Sequence, residues 1–127
     1  MSSPDLDEFE IKELGEVLRS GRLALGPKAQ ELEKGIADYV GVKYGVAVSS
    51  GTAGLHLLVK ALDIKEGDEV LVPSFTFSAT VNVVLYERAK PVFVDINSDT
   101  YTIDPEDMER KITKRTKAAI VVDVFGH

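Results

Sequence analysis

Residues 46–55 read Val-Ala-Val-Ser-Ser-Gly-Thr-Ala-Gly-Leu, a short apolar run followed at once by small and hydroxyl-bearing residues. The apolar run predicts a strand from Tyr44 to Ser49, because it is too short for a buried helix. A helical spacing of apolar residues comes next, at Leu55, Leu58, Val59 and Leu62. A strand that passes directly into a helix is the repeating unit of α/β folds.

The same alternation continues downstream. Three further apolar runs predict strands, from Glu69 to Pro73, from Pro91 to Asp95 and from Ala118 to Phe125. Continuous apolar runs are typical of strands that are covered on both faces. Helical patterns separate the runs, first at Val81, Val84 and Leu85, and then after the cap sequence Asp104-Pro105, which leads to Met108 and Ile112. With right-handed crossovers, this order predicts an α/β fold with a mostly parallel sheet and helices on both faces.

Two helices are predicted before the sheet. Ser3-Pro4 has the pattern of an N-cap followed by a first-turn proline, and Gly21 ends that helix. Gly26-Pro27 opens the second helix, which Gly41 closes. We therefore divide the chain into an N-terminal helical segment, residues 1–42, and an α/β domain, residues 43–127. Because the last predicted strand has no helix after it to cover its apolar surface, we expect the chain to be the N-terminal part of something larger.

Composition excludes several classes of function. The net charge is −6, which argues against a surface built for nucleic acid, and we interpret the basic run from Lys111 to Lys117 as a solvated helix end. The absence of cysteine excludes disulfides and thiolate chemistry, and no histidine–carboxylate spacing indicates a metal site. There is no signal peptide and no run of about 18 apolar residues, so we expect a soluble cytoplasmic protein with no membrane partner.

The turn at residues 49–54, Ser-Ser-Gly-Thr-Ala-Gly, is the strongest candidate for a binding site. It places backbone N–H groups at a helix N-terminus, where anions and especially phosphates bind. An ordinary strand-to-helix turn uses the same residue types, so both interpretations stay open at this point. Neither the dinucleotide-binding glycine pattern nor the P-loop pattern is present.

Several blocks of sequence, in order, resemble the DegT/DnrJ/EryC1/StrS family of sugar aminotransferases, which have fold type I. The blocks are residues 26–27 with 32–33, residues 46–55, residues 67–70 with 72–77 (Val-Pro-Ser-Phe-Thr-Phe), residues 91–96 (Pro-Val-Phe-Val-Asp-Ile), and Thr113 with residues 115–118. The resemblance implies that the α/β domain is a truncated pyridoxal-phosphate-binding large domain.

The resemblance also implies a cofactor and its binding residues. The cofactor is pyridoxal 5'-phosphate, and the reaction moves an amino group from an amino acid such as glutamate to a ketosugar nucleotide in polysaccharide biosynthesis. Gly51, Thr52 and Ala53 are the implied phosphate site, through the amides of Thr52 and Ala53, and Phe77 is the aromatic residue that stacks on the pyridine ring.

The family's Schiff-base lysine, and the acid that pairs with its cofactor ring, lie beyond His127. We assign that role to none of Lys43, Lys60 and Lys90, and no catalytic residue to this chain, which we expect to be inactive alone. The complete protein is expected to be a homodimer. Two alternatives stay open, namely a sugar dehydratase of the same family and a non-catalytic binding or dimerisation fragment. The sugar, the carbon that is aminated and the amino donor are not identified by these residues.

Four polar residues receive minor roles. Asp95 is interpreted as a structural residue that accepts loop hydrogen bonds, and His56 as a residue of the helix surface or of a subunit contact. Asp123 stands where the family frequently has histidine, which makes the contacts at that strand end uncertain, and His127 leads into a loop.

Overall fold

The computed structural model describes residues 3–24 and 26–126. Within them lie the helices α1 (Glu8–Ser20), α2 (Pro27–Val40), α3 (Gly51–Ala61), α4 (Ser78–Tyr86) and α5 (Pro105–Lys111). The strands are β1 (Glu69–Pro73), β2 (Lys90–Val94) and β3 (Thr116–Ala119), and a 3₁₀ helix spans Val124–Gly126. The chain divides into two compact units, residues 1–47 and residues 48–127.

The first unit contains α1 and α2, whose C-terminal ends follow the sequence prediction. Gly21 ends α1 and Gly41 ends α2, both in the left-handed region, with φ of 67° and 78°. Glycine enters that region without a steric penalty, which is why both positions could be predicted. Pro27 occupies the first turn of α2, as predicted.

The predicted start of α1 at Ser3-Pro4 is wrong. The helix begins at Glu8, and Asp7 is its N-cap. The Asp7 carboxylate accepts a hydrogen bond from the Phe9 N–H at 2.7 Å, and the Glu10 carboxylate accepts one from the Asp7 N–H at 2.8 Å. This reciprocal capping box satisfies two donors at once, which a serine followed by proline does not achieve.

The strand predicted from Tyr44 to Ser49 is also wrong. Tyr44 and Val46 are exposed, and the segment has no ladder partner within the described part of the chain. Instead the Ala47 N–H donates to the Glu33 carboxylate at 2.9 Å. Because a strand exists only when a neighbour pairs its backbone groups, an apolar run without such a neighbour remains loop.

The second unit is built on a parallel sheet with the order β2-β1-β3, which confirms the predicted sheet. All five residues of the central strand β1 are buried. Val70 and Val72 pack against apolar residues of α3 and α4, whereas Leu71 packs on the opposite side with Ile103 and Met108. Helices therefore cover both faces of the sheet, as its continuous apolar runs indicate.

The predicted boundaries hold for β1 and shift by one residue for β2. Helices α3, α4 and α5 lie where the apolar spacing places them. Asp104 caps α5 by accepting a hydrogen bond from the Glu106 N–H at 2.8 Å, as predicted. No helix among the described residues has the length and the apolar character needed to cross a membrane.

The last predicted strand, from Ala118 to Phe125, is correct only in its first part. The ladder continues to Ile120, whose N–H donates to the Leu71 carbonyl at 2.9 Å. Strand β1 itself ends at Pro73. Residues beyond Ile120 have little of β1 left to pair with, and the chain turns into the 3₁₀ helix.

Candidate functional site

The N-terminus of α3 presents free backbone N–H groups. Ser50 is the N-cap, and its hydroxyl accepts a hydrogen bond from the Ala53 N–H at 3.2 Å, while its carbonyl accepts one from the Gly54 N–H at 3.1 Å. The N–H groups of Gly51 and Thr52 have no acceptor among the residues described. Two donors at the positive end of a helix dipole form a position suited to an anion.

Helix α4 begins in a similar way. Phe77 is its N-cap but forms no capping hydrogen bond through its side chain. The Thr80 N–H donates to the Phe77 carbonyl at 3.0 Å, and the hydroxyls of Thr76 and Thr80 lie 2.8 Å apart. A second helix therefore offers first-turn N–H groups that no side chain caps.

A cavity of about 320 Å³ lies where these two helices begin. Its lining comes from the first turns of both helices and consists of Gly51, Thr52, Leu55, Phe77, Ala79 and Thr80. All six residues are uncharged, so the lining contains no carboxylate that would repel an anion. The positive ends of two helix dipoles thus meet at a cavity without negative charge.

Three of the four residues predicted to bind the cofactor line this cavity, namely Gly51, Thr52 and Phe77. The Phe77 residue is 76% exposed, so its ring is accessible to a flat ligand. Ala53 is not part of the lining, and its N–H is already held by Ser50. The structure therefore leaves the amides of Gly51 and Thr52, rather than those of Thr52 and Ala53, without partners.

Three residues line the cavity without having been predicted as site residues, namely Leu55, Ala79 and Thr80. Thr80 is only 4% exposed, and its hydroxyl is paired with that of Thr76. The spacing of four residues between the two threonines is the signal that could have revealed the pair, since such residues meet on one side of a helix start.

The acids with the most strongly shifted pKa values lie outside the cavity. A hydrogen bond from the Thr113 hydroxyl, helped by Arg115, lowers the pKa of Glu69 to about 2. A hydrogen bond from the Asp95 backbone N–H is the main cause that lowers the pKa of Asp107 to about 2. Neither acid lines the cavity. Glu69 binds Thr113 and Arg115, and Asp107 binds the Asp95 N–H at the end of β2, so both have structural roles.

The structural role predicted for Asp95 is confirmed. Its carboxylate accepts a hydrogen bond from the Ile96 N–H at 2.8 Å, and its carbonyl accepts one from the Asp104 N–H at 2.9 Å. Asp123 contributes its carbonyl, which accepts a hydrogen bond from the Gly126 N–H at 3.1 Å. His127 lies outside the described residues.

Two predictions concern charged or titratable surface residues. His56 lies on α3 with its side chain 34% exposed, so it is a helix-surface residue, and its Nε2 lies 2.6 Å from the Glu87 carboxylate. The run from Lys111 to Lys117 is only in part a solvated helix end, since α5 ends at Lys111 and Arg115 pairs with Glu69 at 2.7 Å. A role for His56 in a subunit contact stays a prediction.

None of the three lysines considered in the sequence lines the cavity. Each has a partner near its own position: Lys60 pairs with Glu87 at 3.2 Å, Lys90 pairs with Glu69 at 3.2 Å, and the Lys43 ammonium lies 4.9 Å from the centre of the Tyr44 ring.

The chain is similar to a known family of enzymes over nearly its whole length. The model of the DegT/DnrJ/EryC1/StrS aminotransferase family matches residues 4–127. The spore coat polysaccharide biosynthesis protein SpsC of Bacillus subtilis is 46% identical over 98% of this chain and 32% of its own length. The UDP-4-amino-4-deoxy-L-arabinose--oxoglutarate aminotransferase of Shewanella sediminis is 45% identical over 97% of this chain and 32% of its own length.

Solved structures show the same similarity. The apo form of Spr1654 from Streptococcus pneumoniae, described as a sugar aminotransferase, superposes with a TM-score of 0.92 at 41% identity, over 97% of this chain and 31% of that one. The same protein has been solved in forms with pyridoxamine phosphate and with pyridoxal phosphate. The chain spans about a third of the length of the relatives it matches.

Proposed function

The chain belongs to the DegT/DnrJ/EryC1/StrS aminotransferase family, and on this premise we propose that the full-length protein moves an amino group from an amino acid to a ketosugar nucleotide. The observation that carries the proposal is the cavity at the starts of α3 and α4, where free amides and Phe77 come together. The Shewanella relative, named for a UDP-linked amino sugar and oxoglutarate, supports the substrate class and glutamate as donor.

Pyridoxal phosphate is the cofactor in this proposal, with its phosphate at the start of α3. The N–H groups of Gly51 and Thr52 lie at the positive end of the α3 dipole, where a bound anion is stabilised. The Thr52 hydroxyl adds a further hydrogen-bond donor. The Ala53 N–H donates to Ser50 over 3.2 Å, which is at the long limit for such a bond. That amide could therefore be shared with a phosphate oxygen, as the family resemblance implies.

Phe77 is the proposed contact for the cofactor ring. An aromatic side chain packs well against a flat heterocycle and loses little conformational entropy on binding. Its position at the N-cap of α4, on the cavity lining, brings it to the same cavity as the amides of α3.

These positions indicate which part of the reaction depends on the cofactor and which on the residues of this chain. Pyridoxal phosphate, when bound, supplies an electron sink for the charge left after proton removal from the amino-bearing carbon. This chain supplies the phosphate donors and the aromatic face, and we propose that the Schiff-base lysine comes from the remaining two thirds of the full-length protein. On this view the 127-residue chain alone does not transaminate.

The two alternatives predict different outcomes with the full-length protein. A sugar dehydratase would bind the cofactor at the same cavity but would not transfer nitrogen to a ketosugar nucleotide. A non-catalytic fragment would bind pyridoxal phosphate weakly and reversibly. The proposed homodimer and cytoplasmic location are tested separately, by light scattering and by cell fractionation.

The phosphate site is tested by two substitutions at one position. Thr52→Pro removes the backbone N–H yet keeps the helix, because proline is tolerated in a first turn. Thr52→Ala removes only the hydroxyl. We expect pyridoxal phosphate to bind roughly tenfold or more weakly to Thr52→Pro, and Thr52→Ala to lose less.

Lys28→Pro is the matched control, since Lys28 occupies the same position in α2 and is not one of the residues that line the cavity. Wild-type affinity in both Thr52 variants would contradict the phosphate site.

The proposed position of the Schiff-base lysine is tested by borohydride reduction of the full-length protein followed by peptide mapping. The modified lysine is expected outside residues 1–127, and a modified lysine within them would contradict the proposal.

A further inference from the structure

Three side chains outside the cavity lining join α3 to the end of α4, and we call them the helix clamp: His56, Lys60 and Glu87. One Glu87 oxygen lies 2.6 Å from Nε2 of His56 and 3.2 Å from the Lys60 ammonium, which also reaches the second oxygen at 3.2 Å. The His56 ring packs edge-on against Tyr86, with 5.3 Å between ring centres.

The clamp is partly withdrawn from water. The Glu87 side chain is only 18% exposed, and that of His56 is 34% exposed. Hydrogen bonds from His56, and then from Lys60, lower the pKa of Glu87. A half-buried carboxylate with two partners holds its geometry better than an exposed ion pair, whose partners separate readily.

The clamp and the cavity lie at different levels of the same two helices. The first turns of α3 and α4 line the cavity, and the clamp joins later residues of α3 to Glu87, which directly follows α4. The two helices therefore run side by side in the same direction. His56 lies about one helical turn after Thr52, and Lys60 about two turns after it.

A helix of about three turns shifts as one body more readily than it bends, because its backbone hydrogen bonds hold successive turns together. A change in the alignment of α3 against α4 at the clamp would therefore displace the free amides of one helix start relative to the other. None of the clamp residues belongs to the cavity lining, so any effect on a ligand there passes through the helices.

We infer that His56, Lys60 and Glu87 are positioning residues, which hold α3 and α4 in the alignment at which the free amides of α3 reach the cofactor phosphate while Phe77, at the start of α4, meets the cofactor ring. This inference rests on the proposed function and adds a determinant of its phosphate affinity. It predicts an effect that depends on the phosphate group, because the clamp sets the positions of the phosphate donors.

The test compares two ligands that share the ring and differ in the phosphate, pyridoxal phosphate and pyridoxal, in the full-length protein. We expect Glu87→Ala to weaken binding of pyridoxal phosphate about fivefold or more, and to leave pyridoxal binding near the wild-type value. Glu87→Gln keeps a hydrogen-bond acceptor, so its affinity for pyridoxal phosphate should lie between those of the wild type and Glu87→Ala. The double variant with His56→Ala should lose less than the sum of the single losses, because the residues act as one unit.

Glu66→Ala is the control, since Glu66 is an exposed acid in the loop before β1. Should Glu87→Ala fail to fold, Lys60→Met keeps the apolar stem, removes the charge and should show a smaller loss with the same preference for the phosphorylated ligand. Equal weakening of both ligands would overturn the inference by indicating a general loss of stability.

Two further results separate this inference from the proposed function. Unchanged pyridoxal phosphate affinity in the clamp variants, with a loss in Thr52→Pro, would overturn the clamp alone. A wild-type protein that does not bind pyridoxal phosphate would overturn the proposed function and the clamp with it.

Discussion

The Arg115 guanidinium lies 2.7 Å from the carboxylate of Glu69, which is 2% exposed at the first position of β1. The Thr113 hydroxyl donates to the second Glu69 oxygen at 2.6 Å, and the Lys90 ammonium lies 3.2 Å from the first. Lys90 begins β2, and Thr113 and Arg115 lie within the three residues before β3. One buried carboxylate therefore joins the N-terminal ends of all three strands. The segment that leads from β1 to the site begins at the opposite, C-terminal end of β1.

This contact predicts how stability depends on pH. The folded pKa of Glu69 is about 2, below its usual value of 4.5. A lowered pKa contributes stability above the unfolded value, and that contribution is lost as the pH falls from about 4.5 towards 2. Urea unfolding across this range should show a steeper loss in the wild type than in Glu69→Gln. Parallel curves for the two proteins would show that Glu69 does not stabilise the sheet.

A pair of glycines in the first unit should respond in opposite directions to the same substitution. A Cβ on Gly45 would collide with the Glu33 carbonyl of α2, whereas one on Gly35, inside α2, would meet nothing within 4 Å. Gly35→Ala should stabilise by about 0.5–1 kcal/mol, because alanine favours the helix. Gly45→Ala should destabilise. Thermal unfolding of both variants measures the signs, and two shifts of the same sign would refute this account of the loop.

The core predicts a contrast between two leucines. Leu71, in the centre of β1, is 1% exposed, and Leu85, on α4, is 51% exposed. Leu71→Ala should cost about 2–5 kcal/mol, since it removes apolar contacts and leaves a cavity. Leu85→Ala should cost about 0.5 kcal/mol or less, the usual range for surface positions. Denaturant titration gives both values, and similar losses would mean that β1 is not the centre of the core.

Phe77 is expected to contribute to cofactor affinity through its ring. Phe77→Ala should weaken pyridoxal phosphate binding by roughly two- to tenfold, and Phe77→Trp should retain it, because aromatic packing contributes about 0.5–1.5 kcal/mol. Phe75→Ala is the control, since Phe75 lies outside the cavity lining and packs near Tyr101, with 5.7 Å between ring centres. Equal losses in both alanine variants, measured by absorbance titration, would argue against a specific role for Phe77.

The parts of the fold that depend on local chemistry could be predicted from the sequence. The glycines at the ends of α1 and α2 act through the local backbone conformation alone. The apolar run at Glu69–Pro73 forms a strand because β2 and β3 pair with it on its two sides. The segment from Tyr44 to Ser49 could not be predicted in this way, because its composition suits a strand but pairing requires a neighbour. At the start of α1, the prediction rests on Ser3-Pro4, whereas the hydrogen bonds that cap the helix come from Asp7 and Glu10.

The candidate site likewise contains residues that could be predicted from the sequence and residues that could not. Gly51 and Thr52 belong to a turn whose residue types indicate an anion site, Phe77 is implied by the family resemblance, and all three line the cavity. Thr80 and the helix clamp could not be predicted, because their roles arise only when α3 and α4 lie side by side. The partner of the Ala53 amide likewise depends on the side-chain orientation of Ser50, which composition does not determine.

The central claim is that the start of α3 binds the cofactor phosphate through its free amides. A crystal structure of the full-length protein with pyridoxal phosphate tests this most directly. We predict phosphate oxygens within about 2.7–3.2 Å of the backbone nitrogens of Gly51 and Thr52. A phosphate anchored elsewhere, with those two amides facing solvent, would contradict the claim.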